Sequence, residues 1–267
     1  FSIFINELNR FYRQGMQDEQ QDHLKKRSSF YEQVVFEQQN FASASYLKQI
    51  DDAVEQLKGY SGLNFLTTPA GRHNDFYSGN RVYYTLCEQI NGFSQAHRAT
   101  IFHVLYAAYT LLISQYTRSD DVLIGVPFAN RESDLEKEII GYFINTLPIR
   151  QRLNKEENFL ELLSKVKSLI FSYLSKQSVA FAHVAPKLNL ERKVNGQHPL
   201  IQTLFVWGNT DKLQLNFEGI NACLEQQYVS KTSKFDLSLF MLEEDKKISG
   251  YFEFRDSLFD QELVERF

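Results

Sequence analysis

The run IIGYFINTLPIR, residues 139–150, is the stretch on which the fold turns. An ordinary buried strand is either an unbroken apolar run or a strict alternation of apolar and polar residues. This one is neither. Gly141 interrupts it, and Asn145 and Thr146 set an amide and a hydroxyl between Phe143 and Leu147. An extended run of that composition lines something polar or crosses between two parts of a fold.

Working outward, TIFHVLYAAYTLLISQY (100–116) is apolar nearly all round and predicts a buried helix. DVLIGVPFANR (121–131) predicts a strand followed by a turn. Downstream, NFLELLSKVKSLIFSYLSKQ (158–177) is amphipathic, with Asn158 and Glu161 at capping-box spacing and an apolar stripe of Phe159, Leu162, Leu163, Val166, Leu169, Ile170 and Tyr173. The last third predicts strands over 200–209, 234–244 and 247–254, the latter two joined by the turn EEDKK. Alternation in KFDLSLFML sets Phe235, Leu237 and Leu239 on one face and Asp236, Ser238 and Phe240 on the other. The first sixty residues are helical in pattern, one helix at the start and a second helical region that stops at Gly59. Three parts follow: a helical lead-in (1–60), a Gly-, Asn- and Ser-containing linker (61–79) and a third part (80–267). The fold class is α/β, with a mixed sheet flanked by helices.

Composition bounds the chemistry. The 267 residues carry 29 Lys+Arg against 33 Asp+Glu, with no basic stripe, so nucleic-acid binding has little electrostatic support. Twenty-three Phe and 14 Tyr are enough for a large core, with some left to line a cavity. Cys87 and Cys223 are far apart, and two reduced thiols in a cytoplasmic protein is the simplest account of them. Neither a secretory signal nor a run of about 18 apolar residues occurs, so we expect a soluble chain with no membrane contact.

Most catalytic signatures are missing. Six histidines (23, 73, 97, 103, 183 and 198) are scattered without metal-ligand spacing. Neither a nucleophile elbow nor a Gly-rich phosphate cradle occurs. Glu132, Asp134, Glu136 and Glu138 form an acidic cluster best explained as a solvated face.

IIGYFINTLPIR nevertheless resembles, position for position, the (I/V)GxFVNTxxxR motif of nonribosomal peptide synthetase condensation domains, through Ile140, Gly141, Phe143, Asn145, Thr146 and Arg150. HRATIFHVLYAAYTLLISQYTRSDDVLIGVPFANR is similar to the family's small-residue helix, acidic pair and GxPxANR. LNFLTTPAGR falls at its linker, and SKFDLSLFMLEEDKKISGYFEFRDSLFDQELVERF is similar to its closing segment. Order and spacing hold over essentially all 267 residues. Two motifs depart. The family's (H/N)QDxPFE stands here as KQSVAFA, keeping Gln177 and Phe181. Its RDxSRNPL stands as RKVNGQHPL, keeping Arg192, Pro199 and Leu200. FSIFINELNRFY matches the helix that follows the family's catalytic HHxxxDG, so the resemblance puts no catalytic residue in this chain; that motif would precede Phe1.

The resemblance implies a chloramphenicol acetyltransferase-like fold of two lobes about a channel, of which this chain would be the end of the N-terminal lobe and the C-terminal lobe. It implies amide-bond formation between a carrier-bound acyl or peptidyl thioester and an aminoacyl acceptor. The partners implied are upstream donor and downstream acceptor carrier proteins and an adjoining adenylation domain. Substrates would arrive on phosphopantetheine arms, with no cofactor bound directly and no metal. Gly141, Phe143, Asn145, Thr146 and Ser238 would border the channel, Asn145 bonding an amide or pantetheine group and Ser238 facing the oxyanion; Arg150 and Asp236 would be structural. The competing reading of Asn145 is a strand-end amide satisfied by its neighbours, and that of Ser238 is a hydroxyl that only bonds adjacent backbone. Alone the chain should be inactive. The competing readings are a non-catalytic docking module and an epimerisation-type relative.

Overall fold

The computed structural model describes residues 2–16, 29–65, 77–86, 89–190, 197–208, 215, 217, 219–222, 231–244 and 247–267. Cys87, Cys223, the middle of the expected linker (66–76) and the tip of the EEDKK turn (245–246) lie outside them. The chain divides into two compact units. One holds Phe1–Lys48, Ala129–Ile144 and Thr210–Val229; the other holds Gln49–Phe128, Asn145–Asn209 and Ser230–Phe267.

The first unit contains helix α1 (Ser2–Met16), helix α2 (Phe30–Phe41) and the start of α3 (Ala44–Leu57). The single helical region expected over 30–59 is therefore two helices. Ser43 explains the break: its hydroxyl accepts a hydrogen bond from the Tyr46 amide, which starts a new helix. Ser29 and Glu32 close a reciprocal capping box at the head of α2. Gly59 follows α3 at φ +72°, the left-handed stop that the sequence predicts.

IIGYFINTLPIR is only partly a strand. Residues 139–144 are irregular, and pairing begins at Asn145. Arg131 is the physical reason. Its guanidinium donates to the carbonyls of Glu136, Ile139 (2.9 Å) and Gly141 (3.1 Å), so this backbone bends around a cation instead of laddering.

The second unit is built on one six-stranded sheet in the order β1-β6-β5-β4-β2-β3. The strands are β1 (Gly79–Leu86), β2 (Asp121–Phe128), β3 (Asn145–Arg152), β4 (Thr203–Gly208), β5 (Leu237–Glu244) and β6 (Lys247–Arg255). β2–β4 and β4–β5 are parallel and the other pairs antiparallel, so the sheet is mixed. The remaining helices are α4 (Gln89–Ala96), α5 (Ile101–Thr117), α6 (Phe159–Leu174), α7 (Phe181–Val184) and α8 (Gln261–Val264).

α5 is the buried helix that its all-round apolar sequence requires. Tyr106 and Ala107 are fully buried, and the hydroxyls of Thr110 and Thr117 donate back to the carbonyls of Tyr106 and Ile113. Thr100 caps its start, with His103 completing the box. α6 opens on the Asn158–Glu161 box and buries Leu162, Leu163, Val166 and Ile170. On the sheet's core face, Phe252, Leu239 and Phe205 are cross-strand neighbours, and Tyr106 and Tyr109 lie 5.8 and 5.9 Å from the Phe205 ring. Each such buried aromatic contributes about 1.5–3 kcal/mol. Among the described residues no helix is long and apolar enough to cross a membrane.

Candidate functional site

Asn145 is the first residue of β3 and pairs with Phe128, the last of β2. Its amide nitrogen donates to the carbonyls of Gln177 (2.8 Å) and Val179 (2.7 Å), and its oxygen accepts from the amide of Phe181 (3.3 Å). The side chain therefore staples the start of β3 to the segment that leaves α6. Both amide hydrogens and one oxygen lone pair are used in doing so.

Arg150 lies five residues on. It forms a bidentate pair with Asp121, Nε to Oδ1 at 2.8 Å and Nη2 to Oδ2 at 2.6 Å. Its Nη1 donates to the carbonyls of Gln56 (3.1 Å) and Lys58 (2.8 Å), satisfying orphan acceptors at the end of α3. The hydrogen bonds to Asp121 hold the guanidinium's pKa above its ordinary value, against the opposing effect of burial.

The other face of the sheet carries a row that register fixes across all six strands: Arg81, Glu253, Ser238, Leu204, Gly125 and Pro148. Arg81 donates twice to Glu253 Oε2, at 3.0 and 2.7 Å, and its guanidinium lies 4.5 Å from the Tyr251 ring. Beside them, the Ser238 hydroxyl is buried and has no hydrogen-bond partner among the described residues. Few buried polar groups in folded proteins are left so. Thr146 reaches the same face: its methyl is 3.4 Å from where a Cβ on Gly125 would stand.

Asp236 and Arg255 are both buried and meet at 3.5 Å. Asp236 also accepts from Gln197 (2.8 Å) and Gln202 (3.4 Å), and Gln202 in turn bonds the backbone N–H and carbonyl of Leu63. Beside this network His198 Nδ1 accepts from the amides of Leu200 (3.2 Å) and Ile201 (2.8 Å). Burial, reinforced by Lys234, keeps His198 below the usual imidazole pKa.

The residues singled out in the sequence thus divide into three places. Thr146 and Ser238 share the face of the Arg81–Glu253 pair. Asn145 points to the opposite, helix-covered side, because Phe128 lies an odd number of residues from Gly125. Gly141 and Phe143 belong to the first unit. There a Cβ on Gly141 would meet the Phe30 ring at 2.3 Å, and Phe143 lies under Arg131, 4.0 Å from guanidinium to ring. The acidic cluster is partly engaged: Glu136 Oε2 accepts from the amides of Glu132 and Ser133, and Asp134 pairs with Lys137 at 2.8 Å. Arg81, Glu253, Gln202 and Arg255 escaped sequence reasoning. For Arg81, Glu253 and Arg255 the available signal was an ionisable residue inside a strand, which period-2 counting treats as solvent-facing; Gln202, a neutral amide just before β4, gave none.

A family model for the condensation domain matches residues 1–267. This chain belongs to the condensation-domain family. A linear gramicidin synthase of Brevibacillus parabrevis is 30% identical over 273 residues, covering 99% of this chain and 5% of that protein. Among solved structures, the X-domain from teicoplanin biosynthesis superposes with a TM-score of 0.83 at 18% identity, over 98% of this chain and 62% of that one; it has also been solved in complex with OxyB. The condensation domain of the monacolin K polyketide synthase MokA gives 0.78 at 18%, over 96% and 62%. The chain therefore spans about three-fifths of those solved domains and a small part of the synthase. The mixed sheet flanked by helices is the condensation-domain fold, as the motif resemblance implied.

Proposed function

We propose that this condensation-domain chain supplies one wall of a channel in which an aminoacyl amine attacks a carrier-bound acyl or peptidyl thioester to form an amide. The observation that carries the proposal is the family match over residues 1–267, with the motif strand seated in the sheet. In that reaction the amine's lone pair adds to the thioester carbonyl, the tetrahedral oxyanion collapses, and the pantetheine thiol leaves with a proton. A histidine outside this chain would handle the amine's proton. The lobe division is proposed as 1–60, a linker over 61–79, and 80–267.

The residues proposed for the wall are Thr146 and Ser238, whose hydroxyls lie on the face where register places Gly125 and the Arg81–Glu253 pair. A buried hydroxyl with no hydrogen-bond partner among the described residues, such as Ser238, is suited to meet a developing oxyanion. Asn145 acts by positioning the 177–181 segment. Gly141 and Phe143 shape the loop before β3. The proposed partners are donor and acceptor carrier proteins bearing phosphopantetheine, with an adenylation domain alongside, in the cytoplasm. Exposed Phe4, Phe11, Tyr31 and Phe36 on the first unit's helices fit a face that further protein would cover.

The test is single-turnover amide formation by the domain joined to an N-terminal lobe carrying HHxxxDG, with carriers loaded with donor and acceptor. Amide product supports the proposal; intact thioesters from a folded domain overturn it. The X-domain found in complex with OxyB favours one second reading, a docking module without chemistry. Stable binding of a partner protein with no amide product would establish that instead.

A further inference from the structure

α4, the first turn of α5 and the ends of β4 and β5 enclose a cleft of about 600 Å³. It lies beyond the carboxyl ends of two parallel strands, the position at which open α/β sheets receive ligands. Its volume is that of a small-molecule site. Ile101, Phe102 and Trp207 give it apolar walls, and among the described residues Glu243 is the one charged residue lining it. Most of its other polar groups are spoken for: the Ser94 hydroxyl donates to the Asn91 carbonyl, and Thr100 Oγ caps α5. Glu243, part-buried on β5, has neither an ion pair nor a hydrogen bond among the described residues.

We propose that this cleft binds an organic ammonium ion, a primary ammonium on an apolar stem. A carboxylate partly withdrawn from water and lacking a partner gains by pairing with a cation. The neighbouring indole attracts ammonium over its face. Apolar walls favour a carbon stem. An anion would meet a carboxylate with no ion-pair partner among the described residues. This inference stands apart from the proposed amide chemistry and does not rest on it.

Trp207 is the only tryptophan in the chain, so its fluorescence reports on the cleft without labelling. The 267-residue chain is titrated with 2-phenylethylammonium, with 2-phenylethanol as the neutral isostere and with Nα-acetyl-lysine amide. A saturable emission change with an ammonium compound is expected. It should weaken at least about tenfold in Glu243→Gln and with the alcohol, the ordinary effect of losing a charge-assisted hydrogen bond. Glu243→Lys, which tethers an ammonium in the cleft, should abolish it. Saturation by the lysine amide points to a basic aminoacyl side chain as the source; response to 2-phenylethylammonium alone points to a free amine. The proposal is overturned by the absence of a saturable change with either amine. It is equally overturned by unchanged amine affinity in Glu243→Gln; a lowered melting temperature in that same variant would assign Glu243 to the positive end of α5.

Discussion

Asn145 donates to the carbonyl of Val179 at 2.7 Å, across 34 residues of chain. With its bonds to Gln177 and Phe181, this joins the motif strand to KQSVAFA, the segment that departs from the family pattern. All three contacts are to backbone atoms. Side chains of that segment can therefore change while the staple survives, and the Gln177 and Phe181 positions it uses are the two that the motif retains.

Replacing Asn145 by Ala leaves two carbonyls and one N–H without their partner. The expected loss is about 2 kcal/mol of stability, seen as a lower urea midpoint at unchanged m-value. Asn145→Asp should be worse, because a carboxylate would face the carbonyls of Gln177 and Val179. The hydrogen bonds predict a stability loss first, and an unaltered midpoint would refute a positioning role.

Arg150→Lys keeps the charge but not the fork. A lysine cannot hold Asp121 at both oxygens and also reach the carbonyls of Gln56 and Lys58. We expect about 2–3 kcal/mol of destabilisation. Amide exchange should rise at Lys58 and Tyr60, whose N–H groups bond back to Val54 and Leu57 at the end of α3. Protection at those amides equal to that of the parent protein would show that Arg150 is not what holds the end of α3.

Ser238→Ala separates chemistry from folding. The hydroxyl has no partner to strand among the described residues, so stability should change by less than about 1 kcal/mol. If Ser238 meets the oxyanion, turnover of the completed domain should fall ~10²-fold. Full turnover in the variant would remove Ser238 from the site while leaving the amide-forming proposal intact.

The fold was legible where local signals agreed. α6 announced itself by its capping box and stripe, α5 by all-round apolarity, and β5 and β6 by alternation around a charged turn. The site was legible only as motif residues, because its organisation depends on register. Asn145 and Ser238 both looked channel-facing, yet they occupy opposite faces of the sheet through pairings that a single strand does not encode. The 139–144 segment reads as part of one extended run in the sequence, and its bending is not legible there because it comes from Arg131, outside the segment itself. The breadth of the Asp236 network was hidden for the same reason: Gln202 and Arg255 reach Asp236 from other strands and loops.

His198 makes stability depend on pH in a definite direction. Its folded pKa is lowered by burial and by Lys234, so the folded state binds fewer protons than the unfolded one. Stability is then full above the ordinary histidine pKa of 6.5 and declines as pH falls below it. Protonation also destroys the Nδ1 acceptor that receives the amides of Leu200 and Ile201. His103 is shifted the same way, by burial and then by Lys167, so the total slope belongs to both. His198→Asn isolates one share. Asn can accept from backbone amides two and three residues on, keeping the turn without a titration. Urea midpoints of parent and variant measured from about pH 7.5 to about pH 5, the span that brackets the histidine pKa, should converge at the high end and separate toward the acid end, the variant falling less. Parallel curves would show that His198 is not protonated differently in the two states, and the remaining acid sensitivity would lie with His103 and the carboxylates.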